Sequence, residues 1–230
     1  MGLPPADLPG RPASLAAPAP TSTQPTAPEP TPARPARFWV GLVAAPDVST
    51  VKLAGVQPPQ ANVGLLLEYR LGSRLRLSTG LLRATKRYVA RRDDYDWGAY
   101  HARVYQRDFT EVEAACTVLD VPLNLRYDLL VRPGYLLFGS VGLSSFFMQR
   151  ERYTYEYVDN NAPQYWERTA VNENQHLLRV LNVAGGYERR LGPHWSVQAE
   201  PYLKLPLAGV GLGKVQLASA GVFVAAKYGF

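Results

Sequence analysis

The sequence predicts an all-β protein: an eight-stranded antiparallel up-and-down transmembrane β-barrel preceded by a disordered Pro-rich segment. Three observations carry this expectation. Toward the carboxyl end, Ala220, Val222, Val224, Ala226, Tyr228 and Phe230 alternate with smaller or polar residues. That is the pattern of a strand with lipid on one side and a barrel interior on the other. From Arg37 onward, alternating segments recur between turn signals, as in strands rather than helices. The joins between these segments alternate short and long, as in barrels with short periplasmic turns and long external loops.

Taken in chain order, the first 36 residues stand apart. They hold 11 of the 20 prolines, spaced by Ala, Thr and Ser, and contain no aromatic residue. With few backbone donors and little apolar surface to bury, residues 1–36 are expected to be an extended, disordered linker. Residues 37–230 suit one barrel domain. No run of about 20 apolar residues predicts a membrane helix, and the start lacks a basic segment followed by an apolar core. A barrel bound for the outer membrane must first cross the inner one, so the chain is expected to continue upstream of Met1.

Strands are expected near 37–45, 62–71, 75–87, 112–128, 135–149, 177–190, 195–205 and 215–230. Their faces follow from parity. Leu65, Leu67, Tyr69 and Leu71 face outward while Glu68 and Arg70 face inward. Leu119, Val121, Leu123, Leu125 and Tyr127 alternate with Asp120, Pro122, Asn124, Arg126 and Asp128, and Trp195, Val197, Ala199, Pro201 and Leu203 with Ser196, Gln198, Glu200, Tyr202 and Lys204. Alternation alone fits a soluble barrel with the faces reversed, and the lengths of the joins favour the membrane barrel. Those at Gly72-Ser73, Arg132-Pro133-Gly134 and Gly192-Pro193 are tight, while residues 46–61, 88–111, 150–176 and 206–214 form long loops. Both chain ends then lie on the periplasmic side.

Aromatic residues fall where two interfacial girdles would sit. Phe38, Trp39, Tyr69, Tyr127, Tyr135, Tyr187, Trp195, Tyr228 and Phe230 lie at the short-turn end, and Tyr88, Phe109, Phe147, Tyr153 and Tyr155 near the long loops. Pro122 and Pro201 remove ladder donors inside strands and should mark bulges or distortions.

Four stretches in this order resemble the small outer-membrane β-barrel domains of Gram-negative bacteria, of the PorT-like kind. They are Asn62–Leu71 (NVGLLLEYRL), Leu119–Tyr127 (LDVPLNLRY), Leu181–Glu188 (LNVAGGYE), and Glu200–Pro206 (EPYLKLP) leading to Gly211–Lys214 (GLGK). The resemblance covers the chain after the linker. It implies an outer-membrane barrel and brings no catalytic residues.

The inward charges Glu68, Arg70, Asp120, Arg126, Glu188, Glu200, Lys204 and Lys227 are expected to form a closed, salt-bridged plug. An eight-stranded barrel is just wide enough for its own side chains, and an unpaired buried charge costs several kcal/mol. In the long loops, Arg91, Arg92, Tyr95, Trp97, Tyr153, Tyr155, Tyr157 and Trp166 are candidate recognition residues, since Tyr, Trp and Arg combine large contact area with polar ends. Tyr228 and Phe230 on the closing strand are expected to engage the barrel-assembly machinery. Outer-membrane lipid and lipopolysaccharide are expected partners.

Other chemistry finds little support. The net charge of +6 is spread among acids, as where Arg91 and Arg92 precede Asp93, Asp94 and Asp96, so nucleic acid is not an expected partner. Cys116 is the single cysteine, which excludes an internal disulfide. His101, His176 and His194 show no metal-ligand spacing, and no metal or cofactor is expected. Ala208–Val215 has a phosphate-loop look, but a P-loop needs Gly in place of Ala208 and Ser or Thr in place of Val215; it is expected to be a flexible external loop. We expect no catalysis and a structural or recognition role. The alternatives are a soluble lipocalin-like barrel holding an apolar ligand and a lipid-modifying barrel enzyme using His176 with Ser144 or Ser145.

Overall fold

The computed structural model describes residues 2, 36–52, 57–95, 109–211 and 214–230. Apart from Gly2 and Ala36, the expected linker lies outside these residues, as do Trp97 and His101. Ala36–Phe230 is one unit built from ten antiparallel strands. They are β1 (Phe38–Ala44), β2 (Asp47–Val51), β3 (Val63–Arg70), β4 (Leu75–Arg91), β5 (Glu111–Val131), β6 (Tyr135–Asp159), β7 (Ala162–Val171), β8 (Gln175–Arg190), β9 (Trp195–Pro206) and β10 (Leu217–Gly229).

Ten strands make eight staves. The ring runs β1-β3-β4-β5-β6-β8-β9-β10 and closes where Trp39 to Ala44 of β1 pair with Gly229 to Val224 of β10. β2 continues past the break at Ala45-Pro46 and pairs with β10 alone among the strands, while β7 precedes β8 along the same side of β6. Closure leaves the ring no bare edge, which a spanning sheet in hydrocarbon requires.

Short turns gather at one end of the barrel. Leu71 N–H donates to Leu75 O at 2.9 Å, Arg132 N–H to Tyr135 O at 2.9 Å and Leu191 N–H to Trp195 O at 2.9 Å. Arg37 N–H meets Phe230 O there at 3.0 Å, so both flanks of the domain lie at this turn end. At the far end the expected loops are shorter than parity reading made them. Residues 46–61 contain β2. Most of 150–176 is the hairpin of β6 and β7, turned by Asn160 and Asn161 at φ 49° and 61°, the paired left-handed geometry of tight hairpins.

A membrane crossing takes about 9–11 residues of strand, and β4, β5 and β6 overshoot it with 17, 21 and 25 residues. The surplus changes solvent, and the two faces trade character. Toward the turn end of β5, Leu123 and Leu125 point out and are exposed while Asp120, Arg126 and Asp128 are buried inside. Toward the far end of the same strand, Val112, Ala114, Cys116 and Val118 fill the interior and Glu113 is exposed. In β4 the outward row passes from Leu75, Leu77 and Leu81 to Arg83, Arg87 and Arg91. An apolar belt thus girds the turn-end half, and an ordinary water-facing barrel with an apolar core stands on it.

This inversion corrects two expectations. The far-end girdle is absent for Tyr88, Phe109, Tyr153 and Tyr155, which are buried in that core; water outside drives rings inward. At the turn end, Phe38, Tyr127, Tyr135, Tyr187, Trp195 and Phe230 do point outward and are exposed. Trp39 instead turns inside, with the Arg70 and Arg76 guanidinium carbons 5.0 and 4.6 Å from its ring centroid.

Pro122 and Pro201 break pairing locally without shifting register: the β4–β5 ladder resumes from Thr79–Leu123 to Leu82–Asp120, and the β8–β9 ladder from Tyr187–Ala199 to Ala184–Tyr202. The true bulges lie elsewhere. One inserts Gln149 between Met148 and Arg150 and flips the parity of β6, so Glu151, Tyr153 and Tyr155 turn inward.

Leu123→Arg places a charge on the belt, and about 2–4 kcal/mol near the bilayer midplane is expected to abolish the mobility difference between boiled and unboiled samples after folding into vesicles. Thr117→Arg, outward on the same strand but beyond the belt, should fold as the parent does.

Candidate functional site

The interior is built in three layers. Nearest the turn end, Glu68 (β3), Arg76 (β4), Arg126 and Asp128 (β5), Glu188 (β8) and Lys227 (β10) project inward from five staves. Three cations face three carboxylates. Lys227 Nζ lies 2.9 Å from Glu68 Oε2 and 2.7 Å from Glu188 Oε2. Arg126 reaches Glu68 at 3.1 Å, Asp128 at 3.2 Å and Glu188 at 2.5 Å, and Arg76 reaches Asp128 at 3.0 Å. Gln198 Oε1 accepts from both Arg126 and Lys227. Every member is buried. Charges so withdrawn from water are tolerable because each meets opposite charge and further hydrogen bonds.

Packing on this layer explains one glycine. The Arg126 guanidinium carbon sits 3.5 Å from the Phe138 ring centroid, and a Cβ on Gly186 would lie 2.3 Å from Phe138 Cζ. Only a bare backbone leaves that ring its place.

The middle layer sets polar pairs beside a small apolar cluster of Val43, Leu66, Leu82, Tyr202 and Ala225. Lys204 bonds Asp120, and Lys86 bonds Asp47. Tyr202 donates to Asp47 Oδ2 at 2.9 Å, and Lys86 also donates to Ser219 Oγ at 3.2 Å. Glu200 accepts from Ser140 at 3.1 Å and Gln198 at 2.6 Å. A cavity of about 30 Å³ lies here, lined by Ser78, Asn124, Asn182, Glu200, Tyr202 and Lys204 among others. That is space for a water or two, far below the roughly 300 Å³ of a ligand pocket.

The third layer is the apolar core of the far end. The loop after β9 folds down into it. Val210 and Val215 pair by two 2.9 Å backbone bonds and are fully buried. Gly211, at φ +73°, donates its N–H to His176 Nε2 at 3.0 Å. A Cβ there would lie 2.9 Å from the Tyr153 hydroxyl, so both the backbone angle and the space demand glycine. The expected flexible external loop is, in its described part, a stopper held inside the barrel.

Of the eight interior charges expected from sequence, Glu68, Arg126, Glu188 and Lys227 converge in one layer, whereas Asp120, Lys204 and Glu200 occupy the next. Arg70 is half-buried and stacks on Trp39. Sequence reasoning missed Arg76 and Lys86, although both fall on the inward parity of 75–87, and left Asp128 out of the site despite placing it on the polar face. Asp47 and Glu151 were hidden by segments expected to be loops. Glu151 accepts from Tyr153 at 2.7 Å and Asn174 at 2.6 Å.

The loop recognition candidates divide. Arg91 and Arg92 are exposed, and Tyr157 and Trp166 half-buried. Tyr95, Tyr153 and Tyr155 are buried instead: β6 carries the last two along the barrel wall, and Tyr95, just past the end of β4, packs into the far-end core. Tyr95 packs on Phe109 with centroids 5.1 Å apart, and Tyr155 stacks on Trp166 at 5.0 Å. Asp94 ties the short 3-10 turn Arg92–Asp94 together, accepting from Arg91 N–H at 2.9 Å and pairing with Lys52 at 2.9 Å. Partial burial works against its charge, but the Arg91 amide and the Lys52 ammonium hold its carboxyl below the ordinary value.

On the closing strand Tyr228 stacks edge-on with Trp195 and Phe230 at 5.2 and 5.0 Å. His194 bonds Gly229 O at 2.9 Å. The Ser–His pairing does not assemble as a nucleophile and base. Ser144 bonds Asn182, Ser145 accepts from Leu178 N–H at 3.0 Å, and His176 Nε2 is held by Gly211. Cys116 is buried. Among the described residues no group of His, Cys, Asp or Glu could hold a metal ion.

No family model matches the chain, and no curated protein does. Solved structures similar to it include Neisserial surface protein A, at 13% identity and TM-score 0.49 over 84% of this chain and 97% of that one. Ail, the attachment invasion locus protein of Yersinia pestis, aligns at 8% identity and 0.47, covering 86% and 100%. OprG from Pseudomonas aeruginosa aligns at 11% and 0.40, covering 85% and 97%. Likeness this distant carries nothing about role.

Lys227→Met leaves three carboxylates against two guanidiniums and should cost about 3–5 kcal/mol, read as a lower urea midpoint in vesicles; adding Glu188→Gln should restore part of it. Gly211→Val, unable to keep φ +73°, should cost roughly 1 kcal/mol or more and open residues 207–216 to limited proteolysis.

Proposed function

We propose that this chain is a closed outer-membrane barrel that conducts nothing and serves as a rigid stand for a water-facing extension, a structural or recognition role without catalysis. One observation carries the reading: the exchange of apolar and polar faces partway along β4, β5 and β6. A soluble lipocalin-like barrel would carry its apolar set inside along its whole length and keep a cavity for its ligand. Here half the barrel is apolar outside, and the interior is filled with paired charges. The lipid-modifying enzyme loses its motivation with His176, Ser144 and Ser145 all engaged in structural hydrogen bonds.

In this reading the turn end lies in the periplasm, with the linker and the carboxyl terminus, and the extension faces outward. Kinship with PorT-like barrels belongs to the same proposal and rests on the order of the four stretches named above. Contact with the barrel-assembly machinery is assigned to the outward rings of Tyr228 and Phe230. For the recognition surface the best support is the β6–β7 hairpin. Among the described residues β7 pairs with β6 alone, leaving a free strand edge of the kind that accepts an added strand. Half-buried Tyr157 and Trp166 lie on the same hairpin.

Single cysteines in a Cys116→Ala background test the orientation. An impermeant maleimide should label Asn160→Cys on intact cells and Ser73→Cys only after the outer membrane is opened; the reverse pattern, or labelling of both on intact cells, overturns it. In planar bilayers the purified chain should give no discrete conductance steps, and regular steps would refute the closed interior.

A further inference from the structure

Just beyond the apolar belt, the outer wall carries a charge pattern that the interior network does not use. Arg87 of β4, Ala115 of β5 and Arg152 of β6 form one cross-strand row. The next row toward the belt is Thr85, Thr117 and Arg150, and the next is Arg83, Leu119 and Phe147. With strands about 4.8 Å apart and alternate residues about 7 Å apart, the four arginines border a patch roughly 10 Å by 14 Å. All four are exposed, and none forms an ion pair among the described residues. The outward acids of these strands, Glu111, Glu113 and Glu156, lie farther from the belt, so nothing of opposite sign separates the arginines from it.

A cleft of about 290 Å³ opens at the same level, lined by Leu119, Phe147, Met148, Gln149, Asn172, Asn174 and Gln175. Its origin is the bulge at Gln149 opposite the gap between β7 and β8, where Asn172, at φ 55°, donates its N–H to Gln149 O at 3.2 Å. Two of its walls, Leu119 and Phe147, belong to the row of Arg83, and Gln149 adjoins Arg150. The floor is the apolar pair Leu119 and Phe147, the rim carries the exposed carboxamides of Gln149, Asn172 and Gln175 while Asn174 turns inward to Glu151, and Arg150 flanks the cleft.

These chemistries match different parts of one molecule. Guanidinium forks bind phosphate bidentately, carboxamides donate to and accept from sugar hydroxyls, and the floor takes the first methylenes of an acyl chain. We propose that Arg83, Arg87, Arg150 and Arg152, with the adjoining cleft, bind the head group of a phosphorylated, acylated saccharide lipid in the leaflet around the barrel. The site rests on the membrane reading above and adds to it a ligand class and an address.

The test uses the full chain, refolded and delipidated in detergent, with lipid binding counted by native mass spectrometry. Bisphosphorylated lipid A should bind roughly tenfold tighter than the same lipid stripped of phosphate, and R83Q/R87Q/R150Q/R152Q should lose that preference while keeping its gel mobility shift. Equal binding of the two lipids by the parent chain overturns the proposal even if the variant does not fold, and so does a preference that survives in the folded variant. Equal affinity for phosphatidylglycerol overturns the saccharide assignment, and equal affinity for pyrophosphate overturns the acyl contribution. Failure to enter vesicles would instead refute the membrane reading, a separate outcome.

Discussion

Cross-section is the constraint from which the rest follows. Eight staves enclose a lumen that admits side chains and little else, so each charge pointed inward must be met within one ring of neighbours by opposite charge or, as at Glu200, by neutral donors. Glu68, Glu188 and Asp128 against Arg76, Arg126 and Lys227 satisfy that condition with no net charge, and Gln198 takes up donors of two of the cations. Among the described residues, a small cavity of about 30 Å³ lies beside Glu200 and Lys204. The same narrowness underlies the closed interior proposed above.

Along the barrel axis the deciding variable is the surrounding solvent. Strand period is two in both halves, and the backbone does not register where the membrane ends. What changes is which face the apolar residues occupy, between Val118 and Leu119 on β5 and between Leu81 and Arg83 on β4. Below that level burial in hydrocarbon rewards Leu and Val outside; above it the ordinary hydrophobic effect packs Tyr88, Val112 and Phe146 inside. The stopper loop at Gly211 belongs to the upper regime, where it caps a core rather than gating a pore.

Much of the lower half was legible in the sequence, because Leu119–Tyr127 and Trp195–Lys204 separate charge from hydrocarbon cleanly by parity. The eight staves and the tight turns followed from the same reading. The upper half was misread for a physical reason: alternation reports two faces but not which one is wet, and a single environment was assumed for the whole wall. Glu111 and Glu113 fall on the same parity as Leu119 and Leu123, so the switch was written in the sequence as a change of class on one face. The far hairpin was obscured because its length and polarity suggested a loop, although Asn160-Asn161 is a recognisable reversal. Asp47 was lost because Pro46 interrupts its stave. Gln149, which flips everything after it on β6, left no compositional mark.

The position of Lys227 on the final strand ties the charge cluster to the barrel seam. Without β10 the cluster would hold three carboxylates, Glu68, Asp128 and Glu188, against two guanidiniums, Arg76 and Arg126. The last strand both supplies the third positive charge and joins Gly229 to Trp39. Sealing of the seam and neutrality of this cluster therefore depend on one strand, and a ring without it would bury an unmatched carboxylate at a cost of several kcal/mol.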